Sequence, residues 1–120
     1  TTKNYDVRER EVSELSRQLK IIAKDFKLVV LAAAQLNRAV DTRTNKEPML
    51  SDLRESGSIE QDADVVMFVY RDAYYNDTTK NSDAKIIVKK NRTTGGLGTL
   101  NLQFTPGIAS LIEQNSDIPF

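Results

Sequence analysis

The first 27 residues have the hydrophobic spacing of an amphipathic helix. Five apolar side chains recur at intervals of three and four residues: Val12, Leu15, Leu19, Ile22 and Phe26. A helix with 3.6 residues per turn carries all of them on one face. Asp6 and Glu9 have the spacing of a capping box at the helix start. The pattern predicts a surface helix whose apolar face docks on a neighbouring layer.

Two continuous apolar runs follow, Leu28–Ala34 and Ala63–Tyr70. An unbroken apolar run is typical of a strand that is covered on both faces, as in a parallel sheet. The 28 residues between the runs are enough for a crossover with a short helix, which Ser51 or Ser58 would begin. This order of elements predicts an α/β domain with a mostly parallel sheet flanked by helices.

The last third of the chain predicts antiparallel structure. Lys85–Lys90 and Thr99–Phe104 have strand-like composition, and three glycines lie in the segment 91–98 between them. This arrangement is typical of a C-terminal antiparallel β-hairpin with a flexible tip. We also predict a short strand over Ile108–Ile112 and an exposed loop over the polar stretch Tyr74–Asp83.

Composition excludes several kinds of chemistry. The chain has 120 residues with no cysteine and no histidine, which excludes disulfides, cysteine-ligated metals and Ser-His-Asp catalysis. Its 17 basic and 17 acidic side chains cancel, so nucleic acid would contact a local cluster of cations. The longest apolar run, Leu28–Ala34, is too short to span a membrane, and we expect no signal peptide and a cytoplasmic protein. Residues 1–120 are expected to form one domain or a piece of one.

Polar side chains follow both apolar runs, where open α/β sheets bind ligands. Gln35 is either a polar residue that ends a strand, the interpretation favoured by spacing alone, or an amide aimed at a phosphate or an attacking water. Asp72 follows the second run, but the chain has no GxxxxGK(S/T) phosphate loop. We therefore predict that Asp72 is a solvated acid, and we predict no metal ligands.

Two further segments carry candidate chemistry. Ser51–Asp62 is either an amphipathic helix with a solvated face or an anion-binding segment, with backbone N–H groups at Gly57 and positive charge from Arg54. The residues alone favour neither interpretation. Lys90 and Arg92 lie near the hairpin tip. Such cations either protect an edge strand from aggregation or, in the case of Arg92, reach a partner's anionic ligand as an arginine finger.

Three blocks of sequence resemble a known family. They are Gln35–Arg38 (QLNR), Ser51–Val66 (SDLRESGSIEQDADVV) and Lys90–Arg92 (KNR), the last ahead of a glycine-rich turn. From about Glu9 to Phe104 the chain resembles the bacterial replicative DNA helicases of the DnaB type, in the family's order and near its spacings. The uninterrupted block of 16 residues at Ser51–Val66 makes this resemblance specific.

The resemblance implies a partial RecA-like ATPase fold that assembles as a homohexameric ring around single-stranded DNA. It implies that Gln35 senses the γ-phosphate of ATP and couples nucleotide state to the DNA loops. It makes Arg92 the arginine finger and Lys90 its companion, both serving ATP bound to the neighbouring subunit. It places three residues on the loop that lines the DNA channel: Arg54, Glu55 and Gly57.

The resemblance also implies an ATP-dependent helicase that uses ATP and Mg²⁺ and meets primase and a helicase loader. The family's Walker A motif, catalytic glutamate and Walker B aspartate all precede the glutamine strand. We therefore expect the principal ATP and Mg²⁺ ligands to lie outside these 120 residues, and the chain alone to be inactive. Without the phosphate-loop strand, Leu28–Ala34 and Ala63–Tyr70 are expected to pair directly or with a second copy.

Two other functions are compatible with these residues. In the first alternative, the chain is a non-catalytic module that is derived from a helicase and docks on a ring or on DNA. In the second, it is a segment of a recombination ATPase of the same superfamily. The block Ser51–Val66 favours the helicase over the recombination ATPase.

Overall fold

A computed structural model describes residues 2–75 and 82–113, with the side chains of residues 2–5, 54–56 and 106 outside the description. The chain divides into two compact units. The first unit contains residues 1–39 and 50–63, and the second contains residues 40–49 and 64–120.

The first unit is built on a long helix. Helix α1 (Thr2–Asp25) packs against the 3₁₀ segment Leu50–Ser56 and the short helix α2 (Gly57–Asp62). The Ser16 hydroxyl donates a hydrogen bond of 2.8 Å to Asp62 Oδ2 and joins α1 to α2. The predicted first helix and crossover helix are confirmed. The predicted capping box is wrong, because the helix already runs from Thr2 and encloses Asp6.

Helix α1 ends in a Schellman turn. The Leu28 N–H donates to the Ala23 carbonyl at 2.9 Å, and the Lys27 N–H donates to the Lys24 carbonyl at 3.4 Å. Lys27 occupies the left-handed position of the turn with φ 52°, where glycine is the usual residue. The helix therefore stops directly before the apolar run that begins at Leu28.

The apolar run Leu28–Ala34 lies outside the sheet that the described residues form. Val29 is 97% exposed and Leu31 is 83% exposed. The predicted direct pairing of this run with Ala63–Tyr70 is wrong, and pairing with a second copy stays a prediction. A run that is apolar on both sides needs a strand beside it and cover on both faces. No strand among the described residues pairs with it.

The apolar face of α1 is also only partly covered. Leu15, Ile22 and Phe26 are exposed, while Val12 and Leu19 are half-buried. The predicted helical spacing of these five residues is confirmed, since four of them lie in α1 and Phe26 lies in the turn directly after it. The docking of that face is not completed by the described residues of this unit.

The second unit is a four-stranded antiparallel sheet in the order β1-β2-β3-β4. Its strands are β1 (Val65–Tyr70), β2 (Asp83–Asn91), β3 (Gly98–Thr105) and β4 (Ser110–Glu113). The predicted hairpin and final strand are confirmed, as is the α/β class. The mostly parallel sheet is not confirmed, because every strand pairing among the described residues is antiparallel and the predicted parallel neighbour lies outside the sheet.

Burial along β1 alternates and is not continuous. Val66 and Phe68 are buried, whereas Met67 and Val69 are exposed. Phe68 stands opposite Ile87 of β2 in the register, and the two side chains are 5% and 2% exposed. This cross-strand pair anchors β1 to β2. The expectation that both faces of the run Ala63–Tyr70 are covered is therefore wrong for the described residues.

The loop predicted over Tyr74–Asp83 is only partly testable. Tyr74 and Tyr75 end the short helix α3 (Asp72–Tyr75), so the loop begins later than predicted. Residues 76–81 lie outside the described residues.

The register of β1 and β2 predicts a difference between two identical substitutions. Ile87→Val removes one methylene from a side chain that is 2% exposed, and we expect it to lower the free energy of unfolding by about 0.5–1.5 kcal/mol. Ile112→Val on β4 is the matched control, since Ile112 is 54% exposed, and it should change stability by less than about 0.5 kcal/mol. Urea denaturation of both variants measures the difference. Equal losses would contradict this register.

Candidate functional site

The predicted finger residues lie where β2 outruns its hairpin partner. The last pair between β2 and β3 joins Val88 to Gly98, whereas the pairing of β2 with β1 continues to Asn91 opposite Val65. Residues 89–97 therefore project beyond the hairpin ladder. Their first part is held by β1 alone, and this support fixes the backbone on which Lys90 and Arg92 lie.

A β-bulge sets the position of Lys90. The register between β1 and β2 shifts between Val66 and Met67, so that Lys90 stands opposite Val66. Without the shift, Lys89 would occupy that place. An extra residue of this kind re-aims the side chains that follow it. The bulge therefore decides which of the two lysines shares a face with the buried Val66.

The side chain of Asn91 organises the turn after β2. Its Nδ2 donates to Thr94 Oγ1 at 2.7 Å and to the Gly96 carbonyl at 3.1 Å. Its Oδ1 accepts from the N–H groups of Thr93 and Thr94, each at 3.2 Å. Gly95 adopts φ 73° in this turn, a conformation that glycine reaches without steric cost. Arg92 is thus carried on an ordered turn.

Arg92 follows Asn91 and contacts Asp64, the residue before β1. The backbone N–H of Arg92 donates to the Asp64 carbonyl at 2.8 Å. The guanidinium Nη1 donates to Asp64 Oδ1 at 3.2 Å. Both side chains are 53% exposed. The guanidinium is thus on the surface of its unit, with a carboxylate beside it.

In the first unit, Gln35 lies in the exposed segment that follows the apolar run. Two residues later, the Asn37 N–H donates to the Asp52 carbonyl at 3.0 Å. Asn37 also uses its side-chain oxygen to accept from the Ala39 N–H at 3.0 Å, which turns the chain. A backbone hydrogen bond therefore joins the Gln35 segment to the segment that carries Arg54.

The predicted DNA loop begins at a kink. Asp52 and Leu53 are buried, and Leu53 has the non-helical angles φ −87° and ψ 18°. The side chains of Arg54 and Glu55 lie outside the described residues. Gly57 begins α2, and a Cβ added to it would meet no atom within 4 Å. Packing among the described residues therefore does not require glycine at that position.

The six predicted site residues divide between the two units. Gln35, Arg54, Glu55 and Gly57 belong to the first unit, with the hydrogen bond from Asn37 to Asp52 joining the two segments that carry them. Lys90 and Arg92 belong to the second unit, at the same end of β2.

The polar residues after β1 make contacts within the second unit. The Tyr70 hydroxyl donates to Asp72 Oδ1 at 3.2 Å. Burial, and then this hydrogen bond, raise the pKa of Tyr70. The Arg71 guanidinium carbon lies 3.7 Å from the centroid of the Phe104 ring, a cation–π contact. Asp72 is thus a hydrogen-bond acceptor at the start of α3.

Neither a metal cluster nor a membrane helix is found in the part of the chain that the structure describes. No group of three or more acidic side chains in residues 2–75 and 82–113 has an arrangement that could hold a metal ion. Within the same ranges, no helix combines the length and the apolar composition that crossing a membrane requires.

Sequence reasoning missed Asn91 and Asp64. An asparagine followed by Arg-Thr-Thr-Gly is a signal for a turn in which the side chain bonds the backbone two residues on, so Asn91 could have been found. The contact between Asp64 and Arg92 joins residues 28 positions apart, and no local pattern announces it.

Two solved structures resemble this chain closely. One is titled as an ATPase domain, with a TM-score of 0.83 and 41% identity over 88% of this chain and 37% of that chain. The other is the structure of a DnaB-like replicative helicase and its interactions with primase. It has a TM-score of 0.84 and 41% identity over 89% of this chain and 26% of that chain. The fold is that of a part of a helicase ATPase domain.

The family follows from the sequence comparison. The model for the DnaB-like helicase C-terminal domain matches residues 1–113, and the chain belongs to that family. The replicative DNA helicase DnaC of Bacillus subtilis is 52% identical over 103 residues, which are 85% of this chain and 22% of that protein. The replicative DNA helicase DnaB of Geobacillus stearothermophilus is 52% identical over 98 residues, which are 81% of this chain and 21% of that protein.

Two conclusions follow from these matches. The resemblance drawn from the three sequence blocks is confirmed, and the replicative helicase is favoured over the recombination ATPase. The chain spans about a fifth of the length of the curated relatives described above.

The hydrogen bonds of Asn91 predict a stability effect at the turn. Asn91→Ala removes four side-chain hydrogen bonds, and we expect the free energy of unfolding to fall by about 1–2 kcal/mol. Asn101→Ala on β3 is the control, because Asn101 is exposed, and it should change stability by less than about 0.5 kcal/mol. Chemical denaturation of both variants tests this. A loss at Asn101 as large as that at Asn91 would refute the role of Asn91.

Proposed function

We propose that this chain is part of an ATP-dependent replicative DNA helicase that forms a hexameric ring, translocates on single-stranded DNA and unwinds duplex DNA at the replication fork. The observation that carries this proposal is the match of residues 1–113 to the DnaB-like helicase C-terminal domain. The identity of 52% to a replicative helicase of Bacillus subtilis supports the replicative role.

Gln35 is proposed to sense the γ-phosphate of ATP and to pass nucleotide state to the DNA loop. A neutral amide can orient an attacking water or contact a phosphate oxygen without adding charge. The hydrogen bond from the Asn37 N–H to the Asp52 carbonyl supports this role. It offers a short backbone connection between the Gln35 segment and the residues before Arg54.

The loop with Arg54, Glu55 and Gly57 is proposed to hold the backbone of single-stranded DNA in the channel. A cation and exposed backbone N–H groups suit phosphate oxygens and do not distinguish bases. The open space around Gly57 supports the proposal, since packing among the described residues does not require glycine there, and glycine leaves room for a close ligand. The net charge of zero is compatible, because a channel needs few cations from each subunit.

Arg92 is proposed as the arginine finger for ATP bound to the neighbouring subunit, with Lys90 as its companion. A guanidinium that is 53% exposed on an ordered turn is able to reach across a subunit interface. Such a finger stabilises charge on the phosphoryl group in the transition state. Two side chains thus complete a site whose other parts belong to another subunit.

ATP and Mg²⁺ are the proposed cofactors, with their principal ligands outside this chain. The 120 residues alone are proposed to be inactive, because they contain no GxxxxGK(S/T) phosphate loop. Primase is a proposed partner of the whole protein, since one of the similar solved structures is of a DnaB-like replicative helicase and its interactions with primase. A helicase loader is proposed as a further partner.

The finger assignment predicts loss of ATP turnover and its rescue in trans. In the full-length ring, Arg92→Ala should lower kcat by roughly 10³–10⁵-fold. Mixing it with a variant that lacks the Walker A lysine should partly restore turnover, because about one interface in four then carries both intact parts in a ring mixed one to one. Steady-state ATPase assays measure both effects.

The exposed Arg10 of α1 supplies the control for this experiment. Arg10→Ala should keep full turnover. A ring of Arg92→Ala subunits that hydrolyses ATP at the normal rate would end the finger assignment.

The loop assignment predicts weaker binding of single-stranded DNA. Arg54→Ala in the full-length ring should reduce the slope of log K against log salt by about 0.7–1. Gly57→Ala should also weaken binding while the fold tolerates it, since the new Cβ meets no atom within 4 Å. Gly107→Ala is the matched control, because its Cβ also meets none. Fluorescence anisotropy at several salt concentrations decides, and unchanged slope and affinity would rule out this loop.

A further inference from the structure

We propose that Asp64 is a positioning residue for Arg92: it fixes the direction of the guanidinium before the neighbouring subunit presents its ATP. The inference rests on the proposed role of Arg92 as the arginine finger. It adds a residue that lies in a different part of the sequence from the KNR block and acts through Arg92.

Asp64 makes two contacts with Arg92. The Arg92 N–H is bound to the Asp64 carbonyl at 2.8 Å, and Nη1 is bound to the Asp64 carboxylate at 3.2 Å. The first contact fixes the start of the Arg92 side chain and the second fixes its end. A flexible side chain that is held at both ends has fewer conformations to lose when it meets a ligand.

Asp64 itself is attached to the sheet. It directly precedes Val65, which pairs with Asn91, the residue before Arg92. The carboxylate and the guanidinium therefore lie at the same end of the β1–β2 pair, one directly before β1 and the other directly after β2. The pairing of Val65 with Asn91 therefore keeps the two groups close together.

The contact is expected to contribute little to the stability of the fold. Both side chains are 53% exposed, and exposed ion pairs have small effects on folding. A guanidinium carries five N–H donors, so a contact to a carboxylate is compatible with a contact to phosphate. The bond to Asp64 therefore orients the finger and does not prevent it from meeting a phosphoryl group.

Orientation of this kind acts on the chemical step. A finger that contacts charge developing in the transition state changes kcat more than KM. A misplacement of about 1 Å in such a group costs roughly 100-fold in rate. Removing the Asp64 carboxylate should therefore lower kcat and leave the KM for ATP nearly unchanged.

The test uses the full-length ring with steady-state ATPase kinetics. Asp64→Ala should lower kcat by roughly 3–5-fold, the range that an exposed ion pair can supply, with a change in KM below about twofold. Asp64→Asn keeps an oxygen acceptor without the charge and should fall between Asp64→Ala and the unchanged ring. The matched control is Glu14→Ala, which breaks the exposed ion pair of Glu14 with Arg17 on α1, and it should leave kcat unchanged.

A double-mutant cycle shows whether Asp64 acts through Arg92. In an Arg92→Gln ring with measurable residual turnover, which has no cation at position 92 beside Asp64, adding Asp64→Ala should cause less than about a twofold further loss. An equal loss in both backgrounds would overturn the proposal, as would a normal kcat in Asp64→Ala. If the Asp64→Ala ring does not assemble by sedimentation, Asp64→Asn decides by the same criteria.

The two proposals fail differently. If Arg92→Ala leaves turnover unchanged, the finger assignment fails, and the positioning role fails with it. If Arg92→Ala abolishes turnover while both Asp64 variants keep a normal kcat, only the positioning role fails.

Discussion

The pairing of β1 with β2 is the constraint on which the second unit depends. It buries Phe68 against Ile87 within the ladder, and Asp64, Lys90 and Arg92 lie towards one end of it. The one-residue bulge between Phe68 and that end preserves the buried pair and changes which lysine stands opposite Val66. Core packing and the placement of the candidate finger are therefore set by a single ladder of backbone hydrogen bonds.

The elements that depend on local pattern could be predicted from the sequence. The long first helix, the hairpin and the last strand follow from spacing of 3.6 or 2 residues and from glycines at the turn. The predicted mostly parallel sheet is not confirmed. The continuous run Leu28–Ala34 would need neighbouring strands that the described residues do not supply. Periodicity identifies a segment suited to a sheet but does not say which strand lies beside it.

For the candidate site, the sequence identified residues but not the contacts that position them. Gln35, Arg54 and Arg92 were identified as candidates through resemblance to a family. The residue types alone left a solvated helix as probable as an anion-binding segment around Arg54, and they favoured Gln35 as a polar residue that simply ends a strand. The contacts that position them were not predictable. The bulge at Lys90 and the contact of Asp64 with Arg92 depend on register across strands, and register is a tertiary property.

The exposure of Leu28–Ala34 has a consequence for the chain as a separate polypeptide. These seven residues contain no charge, no proline and no glycine, and they lie outside the sheet with Val29 and Leu31 almost fully accessible. Segments of this composition stack readily as cross-β structure when exposed. In a polypeptide released with only these 120 residues, this exposed run would be a site for self-association.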